Sequence, residues 1–330
     1  FALSLVLLVA IAGLFLAHRR RHRDAVTPNA ILGAAADVQR DLSRAPLRWT
    51  RLPDESEIRI GDQLARQFRY YEPSDATELA ALEKYVNRVG TRVASHAHRR
   101  LPYHFHLLIE RNVVNAFALP GGHVMVDLGL LRLTGSEDAL AFVLGHEVEH
   151  IDHYHAVERI QISAQLKNLD LDAMAGLAQI PLDLWQAGYS KAEELEADRE
   201  GLRLAVAAGY SPRGALDVLG CWAELHREVE AHANTPIDEL GQVAVDGLKG
   251  YFQSHPLPDE RLEQVKKVIA ADGLDASRPL SPFAASALLD HTLRYLDGVT
   301  IGSRSARKPA TTLLWPACHG SNPALDDVRQ

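Results

Sequence analysis

Residues 145–150 are Gly145-His146-Glu147-Val148-Glu149-His150. Two histidines four positions apart project from the same side of a helix, so both imidazoles can bind one metal ion. The glutamate directly after the first histidine lies where a general base would act on a water at that metal. This string therefore predicts a metal-binding helix that carries its own base.

The residues before this string favour a buried helix. Ala139, Phe142 and Val143 recur at helical spacing, and His146 and His150 continue the same apolar stripe. Thr134-Gly135-Ser136-Glu137 has the spacing of a capping box and predicts the start of the helix. A pair of hydrogen-bonded core histidines is the competing interpretation. Glu149 falls off the stripe and is expected to be solvated.

A catalytic zinc site needs a third protein ligand, and Glu194 is the best candidate. It shares one helical face with Asp198, and the rest of that face consists of small residues, namely Ala197, Gly201, Ala205 and Ala208. Small residues let this helix approach the histidine helix closely. Asp198 is then expected to accept the outer ring N–H of a ligating histidine. The remaining acids of this run, Glu193, Glu196 and Glu200, are expected on a solvated face.

The chain has 330 residues, of which 35 are Lys or Arg and 43 are Asp or Glu. The resulting net charge of −8 argues against a nucleic-acid partner, since phosphate binding needs excess positive charge. The two cysteines, Cys221 and Cys318, lack the paired spacing of a sulfur-rich zinc site. Cys221 lies in an apolar helical pattern and is expected in the core. A metal would therefore be held by histidine and carboxylate.

The N-terminal seventeen residues, Phe1 to Ala17, contain no charge and are followed by a basic run, His18 to Arg23. This pattern predicts one transmembrane anchor at 1–17, with a cleaved secretory signal as the alternative. The arginines would keep the remainder in the cytoplasm by the positive-inside rule. We expect a basic juxtamembrane connector at 18–53, a folded metal-binding domain at 54–271 and a partly disordered C-terminal extension at 272–330.

Periodicity within 54–271 predicts a mainly α (α+β) fold with a small β-sheet. Helices are predicted at 78–96, 156–180, 191–208, 212–232 and 259–271, besides the metal helix. Residues 103–110 alternate as a strand, and 112–126 form two short strands around a Pro-Gly-Gly turn. His104 and His106 share one face of the first strand; they could chelate a metal, but exposed strand positions explain them better.

Four strings carry a resemblance to a known family: 115–122 (Asn115 to Gly122), 144–155 (Leu144 to His155), 194–198 (Glu194 to Asp198) and 209–212 (Gly209 to Pro212). The chain resembles the zinc metallopeptidases that include the CAAX-prenyl endopeptidases and the HtpX-like and outer-membrane-quality-control proteases of bacteria. The likeness runs from about Glu57 to Leu262.

This resemblance implies that His146, His150 and Glu194 bind one zinc ion, that Glu147 is the catalytic base and that Asp198 supports the ligands. It also implies that His255 and Arg261 lie over the active site, where the histidine can block or tune the metal and the arginine can stabilise an oxyanion. The chain has one apolar segment, unlike the multi-pass members. It is therefore most similar to the single-anchor branch, which commonly works outside the cytoplasm.

The leading hypothesis is a membrane-anchored zinc endopeptidase that cleaves unfolded or misfolded proteins. The peptide would extend along the strand at 113–118, with Asn115, Ala116 and Phe117 in contact with its backbone. A membrane-tethered chaperone or assembly factor with a structural or latched zinc site is the second hypothesis. A zinc hydrolase of non-peptide amides is the third.

Overall fold

The computed structural model describes residues 52–68, 77–109, 113–166, 189–232, 255 and 258–301. The described helices are α1 Asp54–Gln67, α2 Thr77–Ala94, α3 Leu128–Thr134, α4 Glu137–Asp152, α5 His155–Leu166, α6 Lys191–Ala207, α7 Arg213–His232, α8 Pro258–Asp272 and α9 Ser286–Ile301. The described strands are β1 His104–Leu108, β2 Ala116–Leu119 and β3 His123–Asp127. The prediction of a mainly helical fold with a small sheet is confirmed.

The three strands form one sheet in the order β1-β3-β2. β3 lies in the centre, parallel to β1 and antiparallel to β2, with Ala116 opposite Val126. All five residues of β3 are buried. A 3-10 turn, Pro120–Gly122, joins β2 to β3 and confirms the predicted hairpin. Gly121 has a φ of 76°, and a Cβ there would lie 2.7 Å from the Cα of Ile58, so the turn requires glycine.

Helix α4 forms the centre of the core and packs against α2, α6, α7 and β2. Every residue from Asp138 to Asp152 is buried, which is the pattern of a helix enclosed on all sides. The predicted apolar stripe is therefore buried as expected, but the other sides of the helix are buried as well. The prediction that Glu149 is solvated is wrong, because neighbouring elements cover that side of α4 as well.

The start of α4 differs from the predicted capping box. Thr134 ends α3, Gly135 adopts a left-handed conformation, and Ser136 is the N-cap. The Ser136 hydroxyl accepts a hydrogen bond from the Ala139 N–H at 3.1 Å. The true capping box among the described residues opens α6, where Ser190 and Glu193 cap each other. The sequence did not predict α1, α3 or α9.

Three histidines lie together on the sheet, away from α4. The rings of His106 and His123 stack at 5.2 Å, and His104 stacks on His123 at 5.4 Å. His104 is exposed as predicted, but His106 is half-buried, so the exposed assignment is wrong for His106. Burial next to two other imidazoles lowers the pKa of His106 to about 4. Cys221 is buried, as predicted.

The predicted transmembrane anchor at 1–17, most of the connector at 18–53 and residues 302–330 lie outside the described residues. The end of the predicted helix at 156–180 also lies outside the described residues. Within the described ranges, no helix combines the length and the apolar character needed to cross a membrane.

Candidate metal centre

Two turns of α4 supply the first pair of metal-binding groups. The Nε2 atoms of His146 and His150 lie 3.2 Å apart, and the two rings meet edge to face. Both side chains are fully buried. The four-residue spacing thus produces the convergence that the sequence predicts.

Glu194 joins the pair from the first turn of α6. Its Oε2 lies 3.5 Å from His146 Nε2, and its Oε1 lies 3.3 Å from His150 Nε2. The capping box fixes the start of α6, because the Ser190 hydroxyl accepts from the Glu193 N–H and the Glu193 carboxylate accepts from the Ser190 N–H. Glu194 is the residue directly after this box, so its position relative to the helix start is set locally.

Close contact between the two helix backbones brings Glu194 within reach of the histidines. A Cβ built on Gly145 would lie 2.6 Å from the Gly201 carbonyl oxygen, and one built on Gly201 would lie 2.6 Å from the His146 nitrogen. No side chain larger than hydrogen fits at either position without moving main-chain atoms. The close approach expected from the small residues of α6 is therefore present.

His255 adds a fourth group to this cluster. Its Nδ1 lies 3.0 Å from Glu194 Oε2, and its Nε2 lies 3.4 Å from the Ala116 carbonyl oxygen of β2. One donor atom from each of His146, His150, Glu194 and His255 lies within 4.8 Å of the others, and all four residues are buried. Burial favours the neutral acid, yet the three surrounding imidazoles hold the pKa of the Glu194 carboxyl well below its usual value.

The spacing of the first three donors fits a tetrahedral zinc ion. Bonds of about 2.0–2.2 Å to nitrogen and oxygen place neighbouring donor atoms about 3.3–3.6 Å apart. The two Nε2 atoms lie 3.2 Å apart, and the Glu194 carboxylate lies 3.3 Å from His150 through Oε1 and 3.5 Å from His146 through Oε2. Two imidazoles and a carboxylate are also a donor set that zinc accepts in catalytic sites. These residues thus fit the metal that the sequence predicts.

Asp198 and Arg261 hold the outer side of His146. Asp198 Oδ1 lies 2.9 Å from His146 Nδ1, as expected for a residue that orients a ligand. Arg261 donates from Nε to Asp198 Oδ2 and from Nη2 to Asp198 Oδ1, each at 2.7 Å. Burial opposes ionisation of Asp198, but the Arg261 guanidinium lowers its pKa. Arg261 is therefore engaged with the residue that positions His146, a contact that the resemblance did not imply.

His150 has a separate set of outer contacts. Its Nδ1 lies 3.0 Å from Nδ1 of His155, whose Nε2 lies 3.4 Å from the Glu196 carboxylate. His155 lowers the pKa of Glu196 to about 2. The Tyr189 ring stacks on the His150 ring at 3.6 Å with an angle of 10°. His155 thus packs between His150 and Glu196. Glu196, predicted on a solvated face, is half-buried, and the contact of Tyr189 was not predicted.

Glu147 is buried beside the cluster. Its Oε1 lies 3.8 Å from His255 Nε2, and its Oε2 makes no hydrogen bond to any described side chain or backbone group. Burial raises the pKa of the Glu147 carboxyl. A buried carboxylate oxygen without a partner needs one, and a water or a substrate N–H is a suitable one.

The predicted substrate-binding residues lie on or next to β2, which is an edge strand of the described sheet. Ala116 is buried and its carbonyl oxygen faces His255. Asn115 accepts a hydrogen bond from the Asp127 N–H at 2.9 Å through its backbone carbonyl. Phe117 is half-buried, with its ring 5.0 Å from that of Phe68. The structure thus brings Ala116 to the cluster, while Asn115 and Phe117 flank it along the strand.

Comparisons with known proteins agree with this geometry. The chain is 28% identical over 230 residues to the beta-barrel assembly-enhancing protease of Yersinia pestis. The aligned region covers 64% of this chain and 43% of the relative. It is 30% identical over 228 residues to the protein of the same name from Escherichia coli strain K12, with the same coverage. It is 31% identical over 163 residues to the mitochondrial metalloendopeptidase OMA1 of Arabidopsis thaliana, covering 47% of this chain and 29% of the relative.

The chain thus spans less than half the length of these curated relatives. The model of peptidase family M48 matches residues 80–269, which include all the metal-centre residues named above. This match covers more than half of the chain, and so the chain belongs to peptidase family M48.

Proposed function

We propose that this chain is a zinc-dependent metalloendopeptidase. The observation that carries the proposal is the convergence of His146, His150 and Glu194 at zinc-ligand spacing beside the buried, unpartnered Oε2 of Glu147. When bound, zinc would supply a Lewis acid that polarises the scissile carbonyl and acidifies water. Glu147 would accept the proton of the attacking water and deliver it to the leaving amine.

The remaining residues of the centre position these groups. Asp198 sets the ring orientation of His146, and the pair of hydrogen bonds from Arg261 fixes Asp198 in turn. Tyr189 covers one face of His150 and excludes water from it. The burial of the whole cluster strengthens the interactions of its charged groups.

We propose an extended polypeptide as the substrate, bound along the edge of β2 next to the cluster. An edge strand offers unpaired backbone groups that an extended peptide can pair with, and this pairing does not depend on side chains. Such recognition suits unfolded or misfolded segments of membrane or envelope proteins. The apolar residues 1–17 would hold the peptidase at a membrane surface, on either the cytoplasmic or the outer side.

Glu194→Ala is expected to remove one zinc ion per chain relative to wild type. The substitution takes one of three ligands from a site that needs all three, so the affinity should fall steeply. Zinc content of the purified full chain, measured by elemental analysis, checks this. Glu263→Ala on α8 is the matched control, because that carboxylate is exposed and pairs with Lys266. An unchanged zinc content in Glu194→Ala would refute the assignment of this ligand.

His255 favours a second candidate function, a membrane-tethered chaperone or assembly factor with a latched zinc site. A buried fourth donor within reach of the cluster would close the position that a catalytic site keeps open. His255→Ala and wild type should therefore be compared in casein digestion. If the chain is a peptidase that His255 restrains, His255→Ala should digest casein faster than wild type. If neither protein digests casein, the chaperone is favoured.

A further inference from the structure

One buried arginine, Arg99, links the end of α4 to the first turn of α1. It lies in the segment between α2 and β1. Its guanidinium donates from Nη1 to Glu57 Oε1 at 3.2 Å and from Nη2 to Glu57 Oε2 at 2.6 Å. Nη1 also donates to the carbonyl oxygen of Ile151 at 2.8 Å. One planar group therefore holds α1 through a carboxylate and the last turn of α4 through its main chain.

Glu57 extends this link to the turn between β2 and β3. Its Oε1, which accepts from Arg99, also accepts from the Gly121 N–H at 3.0 Å. The main chain of α1 lies directly against the same turn, because a Cβ built on Gly61 would overlap the Pro120 carbonyl oxygen. The turn and α1 thus form one unit, and Arg99 binds that unit to α4.

The connection between α4 and α5 holds Arg99 from another side. The Arg99 Cζ lies 3.9 Å from the centre of the Tyr154 ring. Tyr154 has a φ of 64°, in the left-handed region that residues with a side chain rarely adopt and that has a cost in free energy. The Arg99 N–H donates to Asp152 Oδ1 at 2.6 Å, so the main chain of the arginine is fixed as well. These contacts leave the guanidinium one defined position.

Charge compensation alone does not account for this arrangement. Burial of two charges has a desolvation cost that can exceed their attraction, so a buried ion pair contributes little net stability. A bidentate arginine–carboxylate pair does fix a distance and a direction. The elements that this pair orients are those of the proposed reaction: α4 carries two zinc ligands, and β2 carries Ala116, whose carbonyl oxygen faces His255.

We propose that Arg99 and Glu57 are positioning residues that set β2 relative to the zinc ligands on α4. This inference rests on the proposed binding of a polypeptide along β2. Both residues act at a distance, through main-chain atoms of Gly121 and Ile151. Loosening the link should let β2 shift against α4, which weakens peptide binding and leaves the zinc ligands in place. The competing explanation is an ion pair that stabilises the whole fold, with no specific effect on β2.

Arg99→Lys tests the link with the positive charge retained. A lysine ammonium can pair with Glu57, but it lacks the planar fork that reaches Glu57 and the Ile151 carbonyl together. The KM for casein is expected to rise about 10-fold with kcat and zinc content unchanged, as for the loss of one hydrogen bond's worth of substrate binding. Arg203→Lys is the matched control, because Arg203 makes a bidentate pair with Asp272 on the surface. An unchanged KM in Arg99→Lys, or the same rise in Arg203→Lys, would overturn the proposal.

Amide hydrogen exchange of the full chain gives a readout that does not depend on activity. Residues 116–122 should exchange faster in Arg99→Lys than in wild type, while residues 138–150 of α4 keep the wild-type rate. An equal increase in both ranges would show an ion pair that only stabilises the fold. Glu57→Asp is the second variant and should give the same pattern, because it keeps the charge but draws the carboxylate back from the Gly121 N–H.

The two measurements separate this inference from the proposed function. If wild type does not digest casein while the exchange of residues 116–122 responds to Arg99→Lys, the peptidase assignment fails and the link stands. If wild type digests casein and Arg99→Lys changes neither KM nor the exchange of this range, the link fails and the peptidase assignment stands.

Discussion

Glu147→Gln is expected to digest casein about 10²–10⁴-fold more slowly than wild type, the usual contribution of a general base. The amide has nearly the same shape as the carboxylate but cannot accept the proton of the attacking water. His146, His150 and Glu194 are untouched, so the zinc content should stay at the wild-type value. Loss of activity without loss of metal is the signature that distinguishes the base from a ligand.

The measurement pairs initial rates of casein cleavage with elemental analysis of the same protein samples. Glu263→Gln provides the matched change on α8, where the carboxylate is exposed and pairs with Lys266, and should behave as wild type. Retention of cleavage by Glu147→Gln would disprove the assigned mechanism. Loss of zinc in this variant would instead indicate that Glu147 helps to hold the metal.

Gly201→Val is expected to destabilise the fold by about 1–3 kcal/mol or more, because the side chain would overpack a closed interface. Even the first added carbon would lie 2.6 Å from the His146 nitrogen and 2.8 Å from the His146 Cα. These are main-chain atoms of α4, so no side-chain rotation can relieve the contact. The two helices must separate, which moves Glu194 away from the histidines and lowers the zinc affinity.

Thermal unfolding and zinc titration of Gly201→Val test both consequences. Arg203→Val, two residues further along α6, has a 43% exposed side chain and controls for the lower helix propensity of valine. A Gly201→Val protein with wild-type stability and zinc affinity would show that the two helices do not need this close contact.

The parts of the site that could be predicted from sequence follow helical periodicity. His146 and His150 are four apart, and Glu194 and Asp198 share a face with small residues, so local geometry determines which way they point. Tyr189 and Glu196 could not be found this way. Tyr189 lies before α6, and Glu196 lies off the small face; only the packing of α5 and α6 around α4 brings them to His150 and His155.

Burial was the least predictable property. Glu149 has the sequence signature of a solvated residue, yet α4 is enclosed on every side, which depends on elements far away in the sequence. The capping box at the start of α4 was predicted wrongly for a different reason, although the helix begins near Ser136 as predicted. Thr134 and Ser136 are both suitable N-cap residues with acidic residues shortly after them. Because Gly135 adopts a left-handed conformation and ends α3, Ser136 becomes the N-cap of α4.

The contact between Gly145 and Gly201 has a consequence for how this sequence can change during evolution. Because main-chain atoms meet there, the separation of α4 and α6 does not depend on the identity of the side chains around them. Neighbouring core residues can then be exchanged in compensating pairs without moving Glu194 relative to the histidines. Divergence of the surrounding sequence is therefore compatible with an unchanged metal centre, provided that these two positions remain glycine.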